Sequence, residues 1–289
     1  MLSKGQQGEV YISEVKDTQF KVALKLMNKN KVNIDETIIM KNITEQILLL
    51  KHSKHFTLFH NSYECDKTDD EPRLISVSEL AEGDLYTLLT SSGFFDNVNV
   101  AVNNLYNLLV QCIVSLGTFH NFGYIHNDAH DRNFFYQTNN DNKEGYYKYN
   151  YENDKTFYIK SCRYNIMLSD FGKSKHLQSI NSIINTEKTK DIIRILEKIL
   201  STISMKYSNV IDKPLYKNLK IFHDKVLSIH NTYLININKS TYNFADLLKE
   251  LYTVVPQDIL SETIVETSSS NILNDQVFDM TITDRKPVK

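Results

Sequence analysis

Between Tyr124-Ile125 and Phe134-Phe135 stand eight residues, His126-Asn127-Asp128-Ala129-His130-Asp131-Arg132-Asn133, which pack ionisable and amide groups into a polar loop with an apolar anchor at each end. Their form is H-x-D-x-x-x-x-N. A carboxylate at Asp128 can accept the proton of an attacking hydroxyl, and an amide oxygen five residues on, at Asn133, can hold a metal ion. That division of labour suits phosphoryl transfer. His130 adds an imidazole two residues after Asp128, where it could touch a transferred phosphate or pack the loop. Asp170, in Asp170-Phe171-Gly172, offers a second hard oxygen ligand of the kind Mg²⁺ requires. Lys25, in Val22-Ala23-Leu24-Lys25, offers an ammonium that can reach phosphates from a strand.

Each of these groups needs an element to aim it. Val10-Tyr11-Ile12-Ser13 and the alternating Phe20 to Met27 read as strands, with a turn at Lys16-Asp17-Thr18. The stretch Ser3 to Val10 reads G-x-x-G-x-V from Gly5 and Gly8, with Ser3 where a further glycine would complete a phosphate-cradling loop; a plain hairpin turn is the simpler alternative. A strand follows these glycines, which excludes a dinucleotide-binding βαβ unit. Asp35 to Lys51 is predicted helical from Ile39, Ile43, Ile47 and Leu50. A buried lysine needs a carboxylate to hold it, and Glu45 is the mid-helix candidate; Glu36 competes, but it lies at the expected helix start, where acids serve as caps.

Two short strands, Phe56 to His60 and Leu74 to Val77, are expected next, with a turn over Asp66–Glu71 between them. Asp96 is expected to cap a long helix ending near His120, whose stripe Val102, Leu105, Leu109, Cys112, Leu116 and Phe119 marks the core of a helical region. Residues 138–160 read as a hairpin insertion around Gly145-Tyr146-Tyr147-Lys148-Tyr149-Asn150-Tyr151, against the alternative of an unstructured loop. A strand at Tyr164–Leu168 leads into Asp170. Further amphipathic helices are expected at Thr189–Ile203, Leu215–Ile229 and Phe244–Val255. After Pro256 the apolar pattern decays, and residues 261–289 read as a flexible tail.

Composition narrows the function class. A chain of 289 residues can hold a sizeable core and two lobes, and a net charge of −2 gives no case for a general nucleic-acid or polybasic membrane surface. The cysteines Cys65, Cys112 and Cys162 lie far apart with no C-x-x-C, so neither a zinc site nor a disulfide framework is expected and a reducing compartment fits. No run of about 18 apolar residues suggests a membrane span, and no apolar leader opens the chain.

Glycine turn, strand Lys25, helix acid, the connector Ser78 to Leu85, long helix, H-x-D-x4-N and D-F-G follow one another in a fixed order. From Ser3 to about Val255 the chain resembles the eukaryotic-like protein kinase superfamily. The resemblance implies an α+β, two-lobed fold: a small antiparallel-sheet lobe over residues 1–78, a hinge at 79–82 and a helical lobe over 83–260. It implies ATP and Mg²⁺, with Asp128 as catalytic base, Lys25 on the phosphates, and Asn133 and Asp170 as metal ligands. Ser3, Gly5 and Gly8 would cover the phosphates. Val10 and Ala23 would close on adenine from above and Phe135 from below, with the backbone of Glu79, Leu80 and Ala81 at its edge and Ser78 as gatekeeper. Leu49, His126 and Phe171 would stack into a spine, and Asp191 would brace the catalytic loop, unless it is only a helix cap.

Four departures refine the expectation. Asn127 stands where such loops carry Arg, so control by a phosphorylated loop of the usual type is not expected. His130 stands where Ser/Thr kinases carry Lys, which is closer to aminoglycoside- and choline-kinase loops and to poxvirus-type kinases. Only 21 residues separate Asp170 from Asp191, with no A-P-E, whereas 37 separate Asn133 from Asp170. The long Asn/Tyr-rich insertion resembles that of kinases from large DNA viruses, and the Asn-, Ile- and Lys-rich composition of an AT-rich genome agrees. The reading is a Ser/Thr protein kinase of viral type acting on a protein hydroxyl in a host cytoplasm, without nucleic acid or membrane insertion. A small-molecule kinase and a pseudokinase scaffold are the alternatives.

Overall fold

The structure is a computed structural model that describes residues 3–5, 8–65, 72–139, 144–151, 155–177, 182–237, 243–263 and 272–280. The turn expected over Asp66–Glu71 lies outside the described residues.

The first lobe is an antiparallel sheet with one helix. Strands β1 (Ser3–Gly5), β2 (Gly8–Glu14) and β3 (Lys21–Asn28) precede helix α1 (Lys31–Ile43); β4 (Phe59–Cys65) and β5 (Arg73–Glu79) complete the order β1-β2-β3-β5-β4. Helix α1 starts four residues earlier than the spacing suggests, because Asn30 caps it by accepting the Asn33 N–H at 2.9 Å. It then widens into a π-type turn over Thr44–Leu48. This splits the Ile47-Leu48-Leu49-Leu50 cluster: Ile47 is buried, while Leu49 and Leu50 point outward. Phe56 makes only a single bridge, to Leu168, and the strand begins at Phe59.

The second lobe begins with β6 (Gly83–Asp84), α2 (Leu85–Thr90) and α3 (Val98–Asn121). Asn97, not Asp96, caps α3, its side chain accepting the Val100 N–H at 3.2 Å. The predicted stripe on α3 is buried throughout, but so is nearly every residue from Leu105 to His120. By length and composition α3 could cross a membrane; here it is the axis of the lobe, with 83% of its most apolar stretch buried. Gly117 permits this packing, since a Cβ there would sit 2.2 Å from the Phe244 ring.

After α3 come β7 (Tyr124–Ile125), β8 (Phe134–Thr138), β9 (Tyr146–Tyr151), β10 (Lys155–Lys160), β11 (Tyr164–Leu168) and β12 (Lys175–His176). Helices α4 (Ser182–Tyr207), α5 (Lys217–Asn236) and α6 (Phe244–Val254), then β13 (Leu260–Ser261) and β14 (Ile272–Asp279), finish the chain. The expected hairpin exists as β9 and β10, and it is larger than a hairpin. Strand β13 adds antiparallel to β10, and β14 adds parallel to β9. The expectation of a flexible tail from residue 261 therefore fails over β14. Phe278 is buried with its ring 4.9 Å from that of Tyr149, and Met280 is buried beside it. The Asp279 N–H donates to Lys51 O at 2.9 Å, so the strand also reaches the turn after α1. Two apolar anchors were too few to show in the sequence pattern.

Candidate active site

Antiparallel register puts Lys25 of β3 opposite Val10 of β2 and Ser76 of β5, and Ala23 opposite Ile12 and Ser78. Directly opposed residues share a face, so Val10, Ala23 and Lys25 line one side of the sheet. The Lys25 ammonium lies 2.7 and 3.0 Å from the Glu36 carboxylate oxygens and 3.7 Å from Asp170 Oδ1. Glu36 is 2% exposed, and burial raises its pKa against the pull of Lys25.

Glu45 is therefore not the partner of Lys25. It follows Glu36 by nine residues, two and a half helical turns, which puts it on the opposite face. It is 54% exposed, and its charged neighbour is Lys41 at 3.8 Å. Glu36 instead joins Ile39, Met40 and Ile43 on the buried face of α1.

The loop from His126 to Asn133 is held at both ends. Asp191 of α4, wholly buried, accepts the His126 N–H at 2.7 Å and faces His120 Nε2 at 3.2 Å. The His126 ring donates through Nε2 to Ser169 O at 2.9 Å. It packs 5.5 Å from Phe171 and 6.1 Å from Phe119. The expected spine is corrected accordingly: Leu49 is 68% exposed and takes no place beside His126 and Phe171, whereas Phe119 does. The backbone turns left-handed at Asn127 (φ 61) and again at Asp170 (φ 57). Such conformations are costly for non-glycine residues and persist where surrounding bonds enforce them. Asn127 supplies one of these, donating through Nδ2 to Lys173 O at 3.1 Å, while Arg194 donates to its carbonyl.

Asp128 is surrounded by cations. Lys173 Nζ is 2.8 Å and His130 Nε2 3.7 Å from Oδ2, and Arg194 lies 3.5 Å from Oδ1. Partial burial pushes its pKa up, but these cations outweigh that, and the carboxyl sits below its usual range. His130 caps the short 3₁₀ turn Asp131–Asn133, its Nδ1 accepting the Arg132 N–H at 3.2 Å.

The residues present fit a hard divalent cation. Asp170 Oδ1 is buried without a hydrogen-bond partner. The Asn133 amide nitrogen is spent on Asp128 O at 2.9 Å, which leaves its carbonyl oxygen for a cation. Two such oxygens suit Mg²⁺, which keeps water and phosphate in its remaining positions. Among the described residues no trio of His, Cys, Asp or Glu forms a site of the zinc type.

A family model described as protein tyrosine and serine/threonine kinase matches residues 1–199. The chain belongs to that family. It is also 31% identical over 140 residues to a protein from Dictyostelium discoideum described as a probable serine/threonine-protein kinase. The match takes in 48% of this chain and 28% of that relative, so the chain spans little more than a quarter of the relative's length.

The other residues expected at the site are placed as follows. Gly8 (φ 150) lies against β3, where a Cβ would meet Leu26 O at 2.3 Å, so only glycine fits; in the antiparallel register Gly5 pairs with it and Ser3 with Val10. The connector over residues 79–82, expected as a hinge, is fastened from both sides. Glu79 accepts the Leu58 N–H at 2.6 Å and a Gln137 N–H at 2.9 Å, and Glu82 accepts both the N–H and the hydroxyl of Thr138 at 2.7 Å. Between them Ala81 keeps its backbone groups out of hydrogen bonds among the described residues. Phe135 lies in β8, paired with Met167 and Asp84, and is partly exposed.

Beyond Gly172 the chain is short, as the spacing predicts. Ser174 N–H closes a turn on Phe171 O, β12 pairs with β7, and α4 begins ten residues after Gly172. Lys173 and Arg194 were not singled out from the sequence. A signal existed for Arg194, which follows Asp191 by three residues on one helix and so faces the same loop.

Proposed function

We propose that this chain is an ATP-dependent kinase that transfers the γ-phosphoryl group to a serine or threonine hydroxyl of a protein. The observation that carries the reading is Lys25, held by buried Glu36 and adjoining Asp170. An ammonium fixed beside a free carboxylate oxygen is the arrangement that receives the phosphates of a metal–nucleotide complex. Mg²⁺ at Asp170 and Asn133 would neutralise phosphate charge. Val10, Ala23 and Phe135 would enclose adenine, with the backbone of Glu79 and Ala81 at its edge and the Ser3–Gly8 hairpin over the phosphates. Asp128, kept ionised by its cations, would orient the acceptor hydroxyl and take its proton.

The preference for a protein Ser/Thr acceptor draws on the description of the Dictyostelium relative. The viral-type kinship, and with it action in a host cytoplasm, draws on the insertion between Asn133 and Asp170. A second reading, transfer to a small-molecule alcohol, is favoured by one observation: α4 starts so soon after Gly172 that little chain remains to seat a peptide.

Radiolabelled ATP offered with dephosphorylated casein and with a panel of small alcohols and aminoglycosides tests both. Label in protein, slowed by about 10²–10⁴-fold in Asp128→Asn, is expected. Label confined to the small molecules transfers the acceptor to the second reading. Label in nothing removes phosphotransfer altogether and leaves a scaffold.

A further inference from the structure

Lys173 follows Asp170-Phe171-Gly172 directly, and among the described residues its ammonium makes the shortest contact of the Asp128 carboxylate, 2.8 Å to Oδ2. The side chain is 60% exposed, so the ammonium is open to solvent as well as bonded to the carboxylate. Of its three N–H donors one goes to Asp128, and among the described residues the other two have no protein acceptor. The other cations around Asp128 are committed. Arg194 sits on the far oxygen, Oδ1, and donates to Asn127 O. His130 accepts the Arg132 N–H through Nδ1, which fixes its ring and leaves Nε2 3.7 Å from Oδ2.

On the reading of the site as a phosphotransferase, we propose that Lys173 is a catalytic residue that bridges the Asp128 carboxylate and the γ-phosphoryl group in flight. The acceptor oxygen must lie beside Asp128 and the phosphorus must lie in line beyond it. A cation bonded to Asp128 Oδ2 with two free donors is placed to meet the equatorial oxygens of that group. In the step, the bond between the γ-phosphorus and the β–γ bridging oxygen breaks and ADP leaves with the electron pair. The acceptor oxygen forms the new bond to phosphorus and its proton passes to Asp128, while Lys173 keeps its protons and supplies charge alone. The same ammonium would hold Asp128 in place before ATP arrives.

The test uses the full chain, with casein and self-phosphorylation as acceptors and a non-hydrolysable ATP analogue for binding. Lys173→Ala is expected to lower kcat by about 10²–10³-fold, the cost of removing one charge-stabilising donor. The KM for ATP and the affinity for the analogue should change by less than about threefold, since the contact is made in the transition state. Lys173→Arg should restore most of the rate. Lys175→Ala, which removes an exposed charge two residues away, should leave it unchanged. Full activity in Lys173→Ala overturns the inference, as does a rise, which would make the contact an inhibitory lock, or an equal loss in Lys175→Ala. If the wild-type chain labels no acceptor, the phosphotransferase reading falls first and the inference falls with it; an active wild type with an active Lys173→Ala removes the inference alone.

Discussion

Two buried histidines grip the same stretch of chain from opposite sides. His126 donates to Ser169 O at 2.9 Å from the cleft, and His55 bonds through Nδ1 to Ile166 O at 3.0 Å from the back. Neither ring is exposed, each leaves its second nitrogen without a partner, and burial lowers the pKa of both. Their surroundings differ. Around His126 stand Asp191, Asp170 and Asp128, all of which favour its charged form. Around His55 stand Lys54, which opposes charge, and the ring of Tyr149, stacked in turn on Phe157 at 5.0 Å and Phe278 at 4.9 Å. The front is a field of paired charges with one side open. The back is a buried stack of rings. A buried oxygen thus has two meanings: Asp170 Oδ1 adjoins the Lys25 ammonium, whereas Tyr149 Oη is buried with the Ser53 side chain as its polar neighbour.

The largest effect expected from this contrast is at the back. Phe278→Ala removes a buried ring from the β9–β14 pair and should cost about 3–5 kcal/mol of stability in urea unfolding. The rate per folded molecule should not change. A variant as stable as wild type would return residues 272–280 to the status of a loose tail, and a stable variant with a lower rate would erase the division between front and back.

The front should behave in the opposite way. Glu36→Gln leaves the fold in place but frees Lys25 from its partner, and kcat/KM should fall about 10²-fold, or ~2.7 kcal/mol of transition-state stabilisation. Glu45→Gln should be indistinguishable from wild type, because its exposed pair with Lys41 contributes little. Reversed results in the two variants would put the lysine's partner back where helical spacing first suggested it.

That pair also shows what the sequence could disclose. Lys25, Asp128, Asn133 and Asp170 could be picked out because each sits in a short pattern, and the fold brings Lys25 to Asp170 and Asn133 to Asp128; α3 was legible because its stripe runs through six residues. Glu36 was weighed and set aside because the helix start was misjudged by one turn, and the cap that decides it, Asn30, lies outside the apolar pattern. Strand β14 was missed because its pairing is with β9, far back in the chain, and nothing local encodes a parallel register. Lys173 and Arg194 owe their significance to contacts with Asp128 that only the folded chain makes, one from the turn after Phe171 and one from α4.

The smallest effect separates the two histidines by pH. Burial and then Lys54 hold His55 down to about 3, against an ordinary value near 6.5, so the folded chain keeps this ring neutral where the unfolded chain protonates it. Between those values the unfolded state binds the extra proton, and stability is lost as pH falls from 6.5 toward 3. At pH 5 the shortfall from this one group is about 2 kcal/mol, one and a half pH steps at ~1.4 kcal/mol each. His55→Asn keeps a donor for Ile166 O and has no proton to gain. Its unfolding midpoint should therefore decline less than that of wild type between pH 7 and pH 5. Parallel declines in the two proteins would mean that the back of the molecule admits charge as readily as the cleft does, and that the sealed ring stack behind β11 is not what keeps His55 neutral.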